Sequence, residues 1–293
     1  MLAGCGGDRP PAAPADAVPA DADERLAVVA SFYPLAWAAE RIGGDRVEVA
    51  NLTPAGADPH DVELSARDVG RVHDADLVLY LGHGFQPALE RILGGADTRA
   101  VDLLDGLELR DGDEDDHGHG DGDGHEEAVD PHVWLDPVRF TAMTRRIGVE
   151  LAAEEEAAAL ARELEALHAE YVEGLADCAR RELVTTHAAF GYLAERYGLE
   201  QVSIAGLSHE AEPSARELEH LVEEVREHDA TTVFVEPLAS PRLAETVARE
   251  TGARTAVLNP LEGLTRGESA DGADYLTVMR ANLQTLRRAL GCR

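Results

Sequence analysis

The chain has no lysine. All 26 of its basic residues are arginines, set against 57 acidic ones in 293 residues, for a formal charge of −31. No basic patch able to follow a phosphate backbone can be built from that balance, so nucleic acid is excluded as a partner; the acidic surface instead favours cations near the protein. Nowhere do 18 or more apolar residues run consecutively, which excludes a transmembrane helix in the sequence as given. Aromatic residues make up only 4% of the chain, and its two tryptophans, Trp37 and Trp134, read as packing residues rather than as platforms for a stacked ligand.

Cysteine is also scarce. Cys5 stands in Leu2-Ala3-Gly4-Cys5, which resembles the box at which bacterial lipoprotein signal peptides are cut and the cysteine acylated. Residues 1–25 therefore read as a signal remnant followed by a tether rich in Pro, Ala and Asp, a composition with no means of packing a core. Acylated Cys5 would anchor the protein outside the cell, on the outer face of the cytoplasmic membrane or in the periplasm, because two acyl chains hold where one barely does. In an exported chain an isolated pair such as Cys178 and Cys292 is more often bridged than free. A bridge there would tie the C-terminus to its lobe.

The length suggests two lobes of roughly 100 to 150 residues with a cleft between them. From Leu26 onward, short apolar runs at 26–31, 47–52, 77–81 and 100–104 alternate with helical periodicity, and the theme returns at 182–186, 201–205, 232–236 and 255–258. Such alternation indicates α/β architecture, with parallel sheets covered on both faces. The expected order is an N-terminal lobe over 26–136, a linker over 137–177 and a C-terminal lobe over 178–293. From Pro137 to about Leu175 neither Gly-Pro punctuation nor strand pattern appears, so the linker is expected to be one long helix of about 50 Å.

Three histidines sit where such folds place ligands. His60 lies in a loop after the 47–52 run, His132 in the proline-fixed turn Asp130-Pro131-His132, and His187 directly after the 182–186 run. Open α/β sheets bind at the C-terminal ends of their strands, so all three can face one cleft. Imidazole is a borderline-soft nitrogen donor that suits zinc better than calcium or magnesium, and three such ligands leave a fourth position to fill. Between the first lobe and the linker, residues 111–127 hold His117, His119 and His125 among nine acidic side chains, with no base and no apolar residue. This stretch cannot pack. It reads either as a solvated acidic linker or, the reading favoured here, as a loose metal collector or sensor.

Taken together, Asp58-Pro-His60, the His-rich acidic loop, Asp130-Pro-His-Val-Trp-Leu-Asp136-Pro, Thr186-His187-Ala-Ala-Phe190-Gly-Tyr192, Glu210-Ala-Glu-Pro-Ser214 and Phe234-Val-Glu236-Pro resemble the metal-specific substrate-binding proteins of ABC transporters. The resemblance runs from Leu26 to about Leu290. It implies two α/β lobes joined by one helix, a metal bound between them by His60, His132 and His187, and delivery of the ion to a membrane permease; the protein is expected to be a monomer. The His-rich loop and a histidine as third ligand resemble the zinc members; manganese members commonly place a glutamate there. Where the family usually reads Leu-Asp-Pro after the last strand, this chain reads Leu258-Asn259-Pro260. That leaves the fourth ligand open among water, a loop histidine, Glu236, Asp61 and Asn259, the last also reading as a simple turn residue. His83, in Gly82-His83-Gly84, is a candidate for the cleft rim. The competing readings are a manganese or iron protein of the same family, a surface metal-buffering adhesin, and a zinc hydrolase; against the last, no His-Glu-x-x-His motif or general base is evident.

Overall fold

A computed structural model of the chain describes residues 25–112, 129–203, 207, 215–227 and 230–293. The acylation box and tether, most of the His-rich loop, His209 with Glu210–Ser214, and His228 lie outside the described residues.

The first lobe is a four-stranded parallel sheet in the order β2-β1-β3-β4, formed by β1 (Leu26–Ala30), β2 (Val47–Asn51), β3 (Leu77–Tyr80) and β4 (Ala100–Asp102). Helices α1 (Tyr33–Gly43), α2 (Ala66–Asp74) and α3 (Pro87–Leu93) link these strands. The central strands are almost wholly apolar because both faces are covered: Val28, Val29, Ala30, Leu77, Val78 and Leu79 are all buried. Helix starts follow local chemistry. Pro34 and Pro87 stand at helix N-termini, where their missing N–H costs nothing, and Ser65 opens α2 with a reciprocal capping box to Asp68.

The second lobe repeats the order as β6-β5-β7-β8, from β5 (Glu182–Thr185), β6 (Glu200–Ser203), β7 (Thr232–Val235) and β8 (Arg254–Val257). Its helices are α6 (Gly191–Tyr197), α7 (Ala215–Glu227), α8 (Arg242–Thr251), α9 (Arg266–Ala270) and α10 (Tyr275–Leu290). The two sheets confirm the expected fold class.

The single linker helix is a correction. The segment forms two helices, α4 (Pro137–Glu150) and α5 (Glu154–Leu175), folded back on one another as a hairpin. The turn is made without glycine or proline. Ala152 adopts φ +48°, and the Ala153 N–H reaches back to the Gly148 carbonyl at 2.8 Å, the bond pattern that usually ends on a left-handed glycine. Gly148 lets Ala157 come so close that a β-carbon at residue 148 would collide with it. The 22 residues of α5 span about 33 Å. Along that length α5 meets α1 through Arg41–Glu163 and α10 through Arg280–Glu170, while the Tyr171 hydroxyl donates to the Met279 carbonyl at 2.7 Å.

One core runs through both lobes. Trp37 on α1, Phe140 on α4 and Tyr275 on α10 stack with centroids 4.5 to 6.2 Å apart, each pair contributing about 0.5–1.5 kcal/mol beyond area burial. Cys178 and Cys292 are bridged across 114 residues, fastening the end of α10 to the chain just after α5. Replacing both cysteines by serine is expected to lower unfolding stability by about 2–5 kcal/mol. A denaturant midpoint unchanged from the parent protein would contradict that. Among the described residues no helix is long and apolar enough to cross a membrane.

Candidate metal centre

The C-terminal ends of both sheets face the same cleft. His60 comes from the loop following β2, His132 from the segment between the lobes just before α4, and His187 from the turn following β5. The structure brings all three together. Their ring centroids lie 5.3 to 6.4 Å apart.

A fourth residue completes the cluster. Glu262, in the loop after β8, is buried, and its Oε1 lies 3.3 Å from His60 Nε2, 3.4 Å from His132 Nε2 and 3.0 Å from His187 Nε2. One donor atom from each of these four residues falls within 4.8 Å of all the others. A tetrahedral zinc with bonds of about 2.0–2.1 Å has ligand-to-ligand edges of about 3.3–3.4 Å, so the contacts from carboxylate to imidazole already match and the nitrogens need only draw inward.

Two of the rings are oriented from behind. Asp130 Oδ1 lies 2.8 Å from His132 Nδ1 and accepts the His132 backbone N–H at 2.9 Å; Glu236 Oε2 lies 2.6 Å from His187 Nδ1. A carboxylate on Nδ1 fixes the tautomer that leaves Nε2 as the donor to metal. Glu236 is itself held by the Thr186 hydroxyl and the His187 N–H, and the Tyr192 hydroxyl donates to the Asp130 carbonyl at 2.8 Å.

The loop carrying Glu262 is strained into place. Leu261 has φ +57° and is wholly buried, a conformation costing about 1 kcal/mol or more for a residue with a side chain. Its N–H donates to Asn259 Oδ1 at 2.8 Å, the Trp134 indole donates to the Pro260 carbonyl at 2.7 Å, and the Asn282 amide pairs with both backbone groups of Asn259. The Gly56 N–H donates to the Leu264 carbonyl at 3.0 Å, joining the His60 loop of one lobe to the Glu262 loop of the other.

These positions show where three of the fourth-ligand candidates and His83 lie. Glu236 is spent on His187 Nδ1. Asn259 is a turn residue, with Oδ1 on Leu261 and Nδ2 on Glu268 at 2.9 Å. Asp61 and His83 are exposed; neither belongs to the cluster, and the loop histidines lie outside the described residues. Glu262 went unread because it is one of 57 acidic residues with no motif around it. The available signal was its setting, a lone carboxylate within Leu258-Asn-Pro-Leu-Glu-Gly-Leu264 at the end of a strand.

Burial and charge set the protonation of the cluster. Burial, the largest influence on His187, favours its neutral form, but the carboxylates of Glu236 and Glu262 outweigh it and push the ring up to about 10. His132 is raised too, with burial again opposing and Asp130 and Glu262 prevailing. Glu262 is held well below the usual carboxylate range because His187 and the other imidazoles overcome its burial. Without metal the site is thus an imidazolium–carboxylate cluster.

Two parallel-sheet lobes meeting at their strand ends, with imidazoles and a carboxylate converging between them, define a two-lobed binding protein with a metal-type donor set. The chain belongs to the ZnuA family: residues 28–289 match the family described as zinc-uptake complex component A, periplasmic. It is 39% identical over 285 residues to the zinc-binding lipoprotein AdcA of Streptococcus pneumoniae, covering 91% of this chain but 56% of that protein, so it spans little more than half of that relative's length. It is 37% identical over 281 residues to the high-affinity zinc uptake system protein ZnuA of Bacillus subtilis, covering 91% of this chain and 88% of the relative. The crystal structure of the Zn(II)-bound ZnuA-like domain of S. pneumoniae AdcA matches with a TM-score of 0.76 at 35% identity, over 91% of this chain and 99% of that one.

Proposed function

We propose that this protein captures a single zinc ion outside the cytoplasmic membrane, holds it through His60 Nε2, His132 Nε2, His187 Nε2 and Glu262, and passes it to an ABC permease. The observation that carries this reading is the convergence of three imidazole nitrogens on one buried carboxylate oxygen at 3.0–3.4 Å. Three imidazoles and one carboxylate suit zinc, whereas manganese favours more oxygen donors. The relatives' names and the zinc-bound homologous domain support the same metal.

Capture fits better than catalysis. A catalytic zinc keeps one position for water, and here the fourth corner is filled by Glu262. All four donors come from one chain, which fits a monomer. Acylation of Cys5 would hold the protein beside its permease, and the acidic His-rich stretch over 111–127 would gather ions for it.

A calorimetric titration tests the metal and the loop together. One tight zinc site is expected in the intact chain and in a version lacking residues 111–127, with weak extra sites only in the former and weaker manganese binding in both. Absence of a tight site, or preference for manganese, would sink the proposal.

The pH dependence has a definite sign. Without metal, His187 keeps its proton up to about pH 10, and zinc binding must expel it. Below that pH, affinity therefore rises with pH by about tenfold per unit for each proton released. From pH 8 to pH 6 it should fall about 100-fold for one proton, and further if His132 also releases one. Proton release into weakly buffered solution on adding zinc checks this; zinc uptake without acidification at pH 7 would contradict it.

A further inference from the structure

We propose that Gln86 is a positioning residue for His60, holding its loop from the Pro59 side while Asp58 Oδ1 accepts the His60 N–H at 2.9 Å, as Asp130 accepts that of His132. The inference rests on His60 being a zinc ligand. His60 is the most exposed of the four, its side chain 12% accessible against 0–1% for His132, His187 and Glu262. It also sits in a loop rather than at a strand end, so its placement depends on what fastens that loop.

Gln86 is buried at the head of α3, and its side-chain amide meets three acceptors: the Pro59 carbonyl at 3.1 Å, the Thr53 hydroxyl at 3.3 Å and the Ser31 carbonyl at 3.4 Å. Pro59 immediately precedes His60, Thr53 lies at the start of the same loop, and Ser31 directly follows β1. One amide thus ties the start of the loop and the residue before His60 to the chain just after β1. The residue before it, Phe85, packs edge-on against the His60 ring at 4.8 Å and is braced in turn by Phe32 at 5.1 Å. The dipeptide Phe85-Gln86 therefore fixes the ring on one side and its backbone on the other.

The consequence of removing the amide is local. The Ser31 carbonyl keeps the Thr53 hydroxyl as donor at 2.8 Å, so the Pro59 carbonyl is the acceptor set loose. Outer partners of ligating histidines typically account for 10- to 100-fold in metal affinity. For an amide acting through backbone the lower end applies, and, as for most changes within one binding site, the loss falls mainly on dissociation.

The test is a double-mutant cycle on the full chain, with zinc as the probe and a chromophoric chelator reporting affinity and release. Gln86→Met keeps the volume and removes the donor. It is expected to weaken zinc binding about tenfold, through about tenfold faster release at unchanged association. In a His60→Ala background the same change should have no effect on affinity. Gln86→Leu, which also removes the donor, provides a second variant should the first not fold, and the same result is expected of it. Unchanged affinity in the parent background overturns the proposal, as does an equal loss in both backgrounds, which would make Gln86 a general packing residue. If His60→Ala alone leaves affinity intact, the ligand assignment fails instead, and the two failures are told apart.

Discussion

Glu262→Gln is expected to weaken zinc binding about 100- to 1000-fold while leaving the fold in place. Structural zinc sites yield about 10–16 kcal/mol over four ligands, so one ligand accounts for about 2.5–4 kcal/mol, which is that range in affinity. Glutamine keeps the shape of the side chain but offers a neutral amide oxygen, a weaker donor to a dication. A second signature accompanies the loss. Glu262 helps hold the proton on His187, so in the variant that proton leaves at lower pH and the dependence of affinity on pH flattens. Chelator competition at pH 6, 7 and 8 reads both effects; an affinity within threefold of the parent would remove Glu262 from the ligand set.

The double variant His60→Ala with His187→Ala takes one ligand from each lobe. If the two losses add, affinity falls by roughly 10⁴-fold or more, leaving His132 and Glu262 as a weak two-donor remnant. The variant should also be less stable without metal. Glu262 has its carboxyl depressed by these imidazoles, and that stabilisation is present above the ordinary carboxylate range and lost as pH falls through the depressed value. The variant loses it at neutral pH, where a buried carboxylate would keep only His132 as partner. Thermal unfolding of the metal-free proteins at pH 7 should place the variant below the parent, while equal midpoints would show that the cluster contributes nothing to the metal-free fold.

Most of the architecture was legible because its cause is local. Val28 to Ala30 and Leu77 to Leu79 are buried on both faces of a parallel sheet, and that leaves continuous apolar runs in the sequence. His60, His132 and His187 were legible because proline-marked turns and strand ends locate them. The α4–α5 turn was not, since Ala152 takes a left-handed conformation that nothing in Glu150-Leu-Ala-Ala153 advertises. Its nearest signal was Glu154, Glu155 and Glu156, an acidic first turn that suits the positive end of a new helix. Glu262 was hidden for a different reason. What distinguishes it from other glutamates is the strained Leu261 and the hydrogen bonds from Trp134 and Asn282, residues 128 and 20 positions away that only the folded chain brings near.

The central claim is that one zinc ion sits between the lobes on three imidazoles and one carboxylate. X-ray absorption at the zinc edge of the protein loaded with one equivalent addresses it directly. The account predicts four light-atom neighbours at about 2.0–2.1 Å, with the outer-shell scattering of three imidazole rings, reduced to two rings in His60→Ala. A six-coordinate oxygen shell, sulfur scattering, or a three-ring signal that survives His60→Ala would contradict it.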